Sequence, residues 1–262
     1  MSRALRTAAT GMYAQQLHVD IIANNLANVN TTGFKKSRVE FQDLMYQTLK
    51  TTGTSEVQGV ETPVEIQVGN GTQLVGTLKS FSQGDVQPTS NPLDIAIQGE
   101  GFLKVRRPDN TLAYTRDGSL KLSREGRLVT SEGYVLDPEI TIPADAVSVN
   151  ISRDGLVEVM MPGDTEVEEV GKIEFAKFVN PAGLKNIGNN LYVETAASGQ
   201  AIVGEPGSQG FGEIVHGALE ASNVDVVEEM VSMIVAQRAY EINSKTIKTA
   251  EEMMNMANNL KR

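Results

Sequence analysis

Apolar residues recur every seven positions at both ends of the chain. Near the N-terminus Leu5, Met12, Val19 and Leu26 form one row, and Ala8, Gln15, Ile22 and Val29 form a second row three positions on. That spacing places an apolar seam, interrupted once by Gln15, along a helix of about 28 residues. Asn30-Thr31-Thr32-Gly33 supplies the stop signal. At the other end Leu219, Val226, Met233, Tyr240, Ile247 and Met254 repeat the period, with Ala236, Ala250 and Ala257 alongside. No Gly or Pro falls between Ala218 and Arg262, so one long helix is predicted there, capped by Ser222. Asp225, Glu228 and Glu229 sit near the positive end of its dipole, and Lys245, Lys248, Lys261 and Arg262 toward the negative end.

Between these ends the pattern changes to short apolar runs punctuated by turns. Leu93-Asp94-Ile95-Ala96-Ile97 leads through Gly99-Glu100-Gly101 into Phe102-Leu103-Lys104-Val105. Turn pairs such as Asp117-Gly118, Glu125-Gly126, Glu132-Gly133 and Asp154-Gly155 then bound further strand-like runs, among them 126–130 and 172–175. This spacing fits an antiparallel sandwich or irregular barrel rather than alternating βα units. Over 47–75, polar Thr51-Thr52-Gly53-Thr54-Ser55 precedes the alternating Val64-Glu65-Ile66-Gln67-Val68, which reads as an extended arm or long hairpin. The expected fold class is therefore α+β. Long terminal helices form a coiled-coil-like inner domain (1–33 and 218–262), 34–75 forms the arm, and 76–217 forms a mainly antiparallel β domain.

A helix with an apolar seam must bury it or remain marginal in water. The two helices can cover one another as an antiparallel hairpin. The C-terminal stripe is wider than a bare seam, however, because Val227, Met230 and Ile234 add a flank. Neighbouring copies would cover that excess, and a repeated heterologous contact that does not close generates a filament or tube. A monomer whose helices pack on its own β domain is the competing solution, and pattern alone leaves both open.

Charge and composition remove several other functions. The 33 acidic residues outnumber the 23 basic ones, giving a net charge of −10, which argues against a nucleic-acid partner. Residues 1–40 carry five bases against two acids, so a basic segment adjoins an acidic body. Without cysteine there are no disulfides, thiolate metal sites or thiol nucleophiles. His18 and His216 are the only histidines, and neither has metal-ligand spacing. No nucleophile-elbow or phosphate-loop string occurs, and Gly99-Glu100-Gly101 lacks the third glycine of a dinucleotide loop. No catalytic residue, cofactor or metal is expected. No run is long enough to span a bilayer, and the N-terminus does not read as a cleavable secretory signal.

Four blocks carry a family resemblance. Residues 23–35, Ala-Asn-Asn-Leu-Ala-Asn-Val-Asn-Thr-Thr-Gly-Phe-Lys, resemble the N-terminal signature of the flagellar rod and hook proteins. Asn91-Pro92-Leu93-Asp94 through Gly101-Phe102, Tyr114-Thr115-Arg116-Asp117-Gly118 and Gln237-Arg238-Ala239-Tyr240 through Lys245 are similar to that family's later blocks, in order. Length and residues 41–61 are most similar to its distal-rod branch. The resemblance implies a non-enzymatic, helically self-assembling subunit of a hollow shaft around an export channel. It also implies a periplasmic basal-body location, export without a cleaved signal, and proximal rod, hook and bushing-ring proteins as partners. Leu5, Met12, Val19, Ile22, Leu26, Val226, Met230, Met233, Gln237, Tyr240, Asn243, Ile247 and Met254 are the expected interface residues. Asn24, Asn25 and Asn28 are expected to form register-fixing hydrogen bonds between subunits. Another axial subunit, hook or proximal rod, is the nearest alternative. A monomeric binding module, or a glycan hydrolase using paired carboxylates, is more remote.

Overall fold

The computed structural model describes residues 2–50, 65–162, 167–208 and 210–260. The chain divides into two compact units. One contains Met1–Leu26, Ser37–Leu78 and Val226–Arg262, and the other Ala27–Lys36 and Lys79–Asp225.

The first unit holds the two long helices, α1 (Ser2–Ala27) and α2 (Val226–Asn259). They are antiparallel. Gly11 faces Asn243 and Asn25 bonds Glu229, so fourteen residues forward along α1 is fourteen back along α2. The heptad rows are buried only in part, for Val226 and Tyr240 on the α2 row are exposed. Ala8, Ala14 and Ile22 on α1 and Ala236 and Ala250 on α2 are buried, with Leu5, Met12, Val19, Met233, Ile247 and Met254 half-buried beside them. The small residues let the backbones approach closely. At Gly11 a Cβ would lie 2.9 Å from Asn243 Nδ2, too near without displacement of that amide.

The segment after α1 forms an antiparallel ribbon of two strand pairs. Ser37–Asp43 pairs with Thr72–Lys79, and Tyr46–Lys50 with Ile66–Gly69. The ribbon runs alongside α1: Arg6 donates to Asn70 Oδ1 (2.8 Å), the Thr72 N–H reaches Thr10 Oγ1 (3.4 Å), and His18 meets Phe41 edge-on at 5.9 Å. Residues 51–64, the middle of the expected arm, lie outside the described residues.

The second unit is a β structure around a nine-stranded antiparallel sheet. Phe102–Arg106 is its hub, pairing with Leu112–Thr115, Val135–Leu136 and Phe175–Lys177. Pleating sends alternate residues to opposite faces, and the sequence uses this to build two different cores. Leu103, Val105, Ala113, Phe175 and Leu191 face an aliphatic core with Ile95, Leu128, Val157 and Ile214. Their neighbours Phe102, Tyr114, Ala176 and Tyr192 face an aromatic one with Phe178 and Phe81. There the rings meet edge to face at 4.8–6.1 Å. A meander of Ser148–Ile151, Leu156–Met160 and Val167–Lys172 packs on the aliphatic side.

Several expectations change. The second helix begins at Val226, not 218. Ala218–Glu220 is a strand on Val86–Pro88, with alternating burial that a helix would not give. Leu219 therefore does not belong to the heptad row. Ser222 is no cap: its hydroxyl is buried without a hydrogen bond. The 172–175 run is two strands broken at Ile173-Glu174. The first helix ends at Ala27, and Gly33 takes the left-handed conformation (φ +67°) that closes the following turn. The β unit begins at 27 rather than 76, because residues 27–36 pack within it.

Two outcomes follow. Gly11→Ile should destabilise the helical pair by about 1–3 kcal/mol through overpacking, measured by urea unfolding followed by far-ultraviolet circular dichroism. Burial, then the nearby Glu194 and Asp137 charges, pushes the Tyr114 phenol up to about 12, and burial also raises Tyr192. The folded state thus holds the Tyr114 proton longer than the unfolded chain, so the stabilisation from that phenol is complete below pH 10 and is lost between 10 and about 12. Tyr114→Phe should lose less stability across that interval than the parent.

Candidate functional site

Two features stand out for chemistry or recognition: a buried ionic cluster in the β unit and an uncovered apolar face on α2.

The cluster joins three distant stretches of sequence. Lys35, Arg116 and Glu220 are essentially inaccessible, Lys35 at 0%. Glu220 Oε1 accepts from Lys35 Nζ (2.6 Å) and the Gly84 N–H (2.9 Å), and Oε2 faces Arg116 Nη1 at 3.3 Å. Lys35 Nζ also donates to the Ser82 carbonyl (2.7 Å), and Arg116 Nη2 to that of Gly99 (2.7 Å). Burial pulls the Lys35 ammonium below the usual lysine range; the Glu220 charge opposes this and the Arg116 charge adds to it. Burial likewise lowers Arg116 against the pull of Glu220. Arg116 packs over the Phe102 ring at 5.5 Å. Gly33 completes the arrangement by donating its N–H to Glu220 O (2.8 Å). A Cβ there would strike the Arg116 carbonyl, so position 33 requires both glycine's conformation and its lack of bulk.

Apart from Arg116 Nε, which is buried without a hydrogen-bond partner, the charged groups of this cluster are held by one another and by backbone carbonyls and amides, so it reads as a structural lock rather than a reaction centre. Among the described residues no group of three His, Asp or Glu side chains is placed to hold a metal. No described helix is long and apolar enough to cross a membrane.

The expected interface residues separate into two sets. Leu5, Met12, Val19, Ile22, Leu26, Met233, Asn243, Ile247 and Met254 are buried or half-buried, on the seam side of the helices. Val226, Met230, Gln237 and Tyr240 are exposed. Of these, Met230 joins Val227 (71% exposed), Val231, Ile234 (50%) and Val235 in an exposed apolar face over the first turns of α2, away from the seam. Val231 and Val235 escape a strict heptad reading because they lie off both rows.

The asparagines also divide. Asn24 is exposed and Asn28 half-buried, whereas Asn25 is buried (1% exposed). Asn25, expected to bond between subunits, already bonds within the chain. Its Oδ1 accepts the Ser37 N–H (2.9 Å), and its Nδ2 donates to Ser37 O (2.9 Å) and Glu229 Oε2 (3.2 Å). The side-chain amide thereby pairs with Ser37 as another backbone would. From the sequence Glu229 read only as a helix-dipole charge, and Glu220 was not singled out. An acid in a first helical turn and another beside a strand look like ordinary solvated groups until their partners are known.

Cluster electrostatics give a graded outcome. Glu220→Ala leaves two buried cations without their carboxylate and should cost about 3–5 kcal/mol. Lys35→Met leaves the Arg116–Glu220 pair balanced and should cost less. Urea titrations of the full-length variants, followed by near-ultraviolet dichroism, rank the two.

Three family profiles match the chain. That described as "Flagella basal body rod protein" covers residues 5–35, "Flagellar hook protein FlgE/F/G D1 domain" covers 96–159, and "Flagellar basal body rod FlgEFG protein C-terminal" covers 215–260. The chain is similar to the flagellar basal-body rod protein FlgG of Borreliella burgdorferi, with 54% identity over 100% of each chain. It is also similar to FlgG of Caulobacter vibrioides (47%, 99% of each chain) and of Bacillus subtilis (41%, 100% of each).

Proposed function

Because this chain belongs to the family of flagellar basal-body rod proteins, we propose that it is the distal-rod subunit, a structural protein that assembles helically into a hollow, torque-bearing shaft. Full-length kinship with FlgG proteins supports the place in the flagellum. The observation that carries the mechanical reading is the uncovered face of α2. Val227, Met230, Val231 and Ile234 are each at least half exposed, on a helix whose opposite side is already paired with α1.

Stacking that face on the next copy extends the helical layer from subunit to subunit. The terminal helices line the export channel in a coiled-coil-like inner layer. The ribbon after α1 acts as an arm between neighbours, which stiffens the shaft against twist. Proximal rod subunits adjoin one end and hook subunits the other, with ring proteins forming the bushing. The subunit travels unfolded through the flagellar export apparatus and assembles in the periplasm. Its work is mechanical and not catalytic. The cluster carboxylate Glu220 is spent on Lys35 and Arg116, which leaves it unsuited to activating water.

The test is to make Val227→Asp and Ile234→Asp together in the full chain. Burying such a side chain contributes roughly 1.5–3 kcal/mol, so each change should weaken association about tenfold or more. The double variant should sediment as a monomer at concentrations where the parent forms tubes, with its helix content intact. Normal tubes from the double variant would count against the proposal.

A further inference from the structure

The β unit is closed by its last twelve residues or so. Glu213–His216 lies antiparallel on Ile95–Gln98, and Ala218–Glu220 on Val86–Pro88. Ile214 enters the aliphatic core. Glu220 meets two cations that lie 185 and 104 residues away in sequence. Asn223 then ties both sides: its Oδ1 accepts the Lys36 N–H (2.7 Å), its Nδ2 donates to Ser80 O (2.9 Å), and its own N–H reaches Phe34 O (3.4 Å).

We propose that residues 212–223 are a strap whose docking is the obligatory closing step of the β unit. Before it binds, the strands at 86–88 and 95–98 lack their ladder partners, and buried backbone groups without partners are costly. Lys35 and Arg116 would be buried without the carboxylate that contacts both, which is costlier still. Bringing residue 220 to residue 35 also closes a long loop, an entropic expense met only when all these contacts form together. The 148–172 meander, by contrast, pairs residues close in sequence and can form first. A chain that becomes free N-terminus first therefore keeps this unit open until residue 223 is released. Because the strap acts by strand addition, it should also bind as a separate molecule.

The test starts from the full-length protein carrying a protease recognition sequence in the exposed turn at Ser208. The native protein is cut, the two pieces are separated in denaturant, and each is returned to buffer. Hydrogen exchange over 86–98 is the readout. The cut protein should stay native before separation. The N-terminal piece alone should leave 86–98 unprotected, and adding the C-terminal piece should restore protection at one-to-one stoichiometry. A C-terminal piece carrying Glu220→Ala should bind on the order of a hundredfold more weakly. Full protection in the N-terminal piece alone would overturn the proposal. So would failure of the added piece to restore it, or equal binding by the Glu220→Ala piece.

Discussion

Helix α2 carries more apolar surface than α1 can cover. Its seam is built from small and medium residues, Ala236, Ala250, Met233 and Ile247, which accept the close approach set by Gly11 and Asn243. The first turns then add Val227, Met230, Val231, Ile234 and Val235 on the other side. Five large apolar groups on one helical stretch are a contiguous patch rather than scattered exposure, and such patches mark association surfaces. Removing that surface from water is the driving force on which the proposed shaft depends. The antiparallel pair is what holds the patch rigid and outward.

The polar contacts serve a different purpose. Asn25 uses its amide to pair with the Ser37 backbone while holding Glu229, so α1, the ribbon and α2 meet at one fixed register within their unit. In the β unit Glu220 fixes the ends of two segments far apart in sequence by facing Lys35 and Arg116. Buried ion pairs contribute little net stability against apolar replacements, yet they are costly to break singly. They therefore penalise every mispaired arrangement more than they reward the correct one. A subunit that must present the same face every time has use for that asymmetry.

What the sequence disclosed follows from the range of the interactions involved. The helices were legible because a seven-residue period is a local signal, and Ala8, Ile22, Ala236 and Ala250 are buried on the rows that period defines. The antiparallel β character was legible from turn pairs such as Asp117-Gly118 and Asp154-Gly155. The strand at 218–220 was not, because Ala-Leu-Glu favours helix locally and only pairing with residues 86–88, far away in the chain, overrides it. Asn25 was visible as unusual, with a partner expected in another molecule. Its partners within the chain, Ser37 and Glu229, could not be chosen from spacing alone. Lys35 and Arg116 lie inside the quoted signature blocks, and their shared contact with Glu220 brings those blocks together in space.

Oxidative footprinting of methionine reads the uncovered face directly. Met230 lies on it at 52% exposure, while Met233 lies half-buried on the seam side of the same helix. In dilute monomer, peroxide should convert Met230 to its sulfoxide faster than Met233. In assembled tubes Met230 should become at least as protected as Met233, because the neighbouring copy now covers it. If Met230 reacts equally fast in monomer and tube, the α2 face is not where subunits meet.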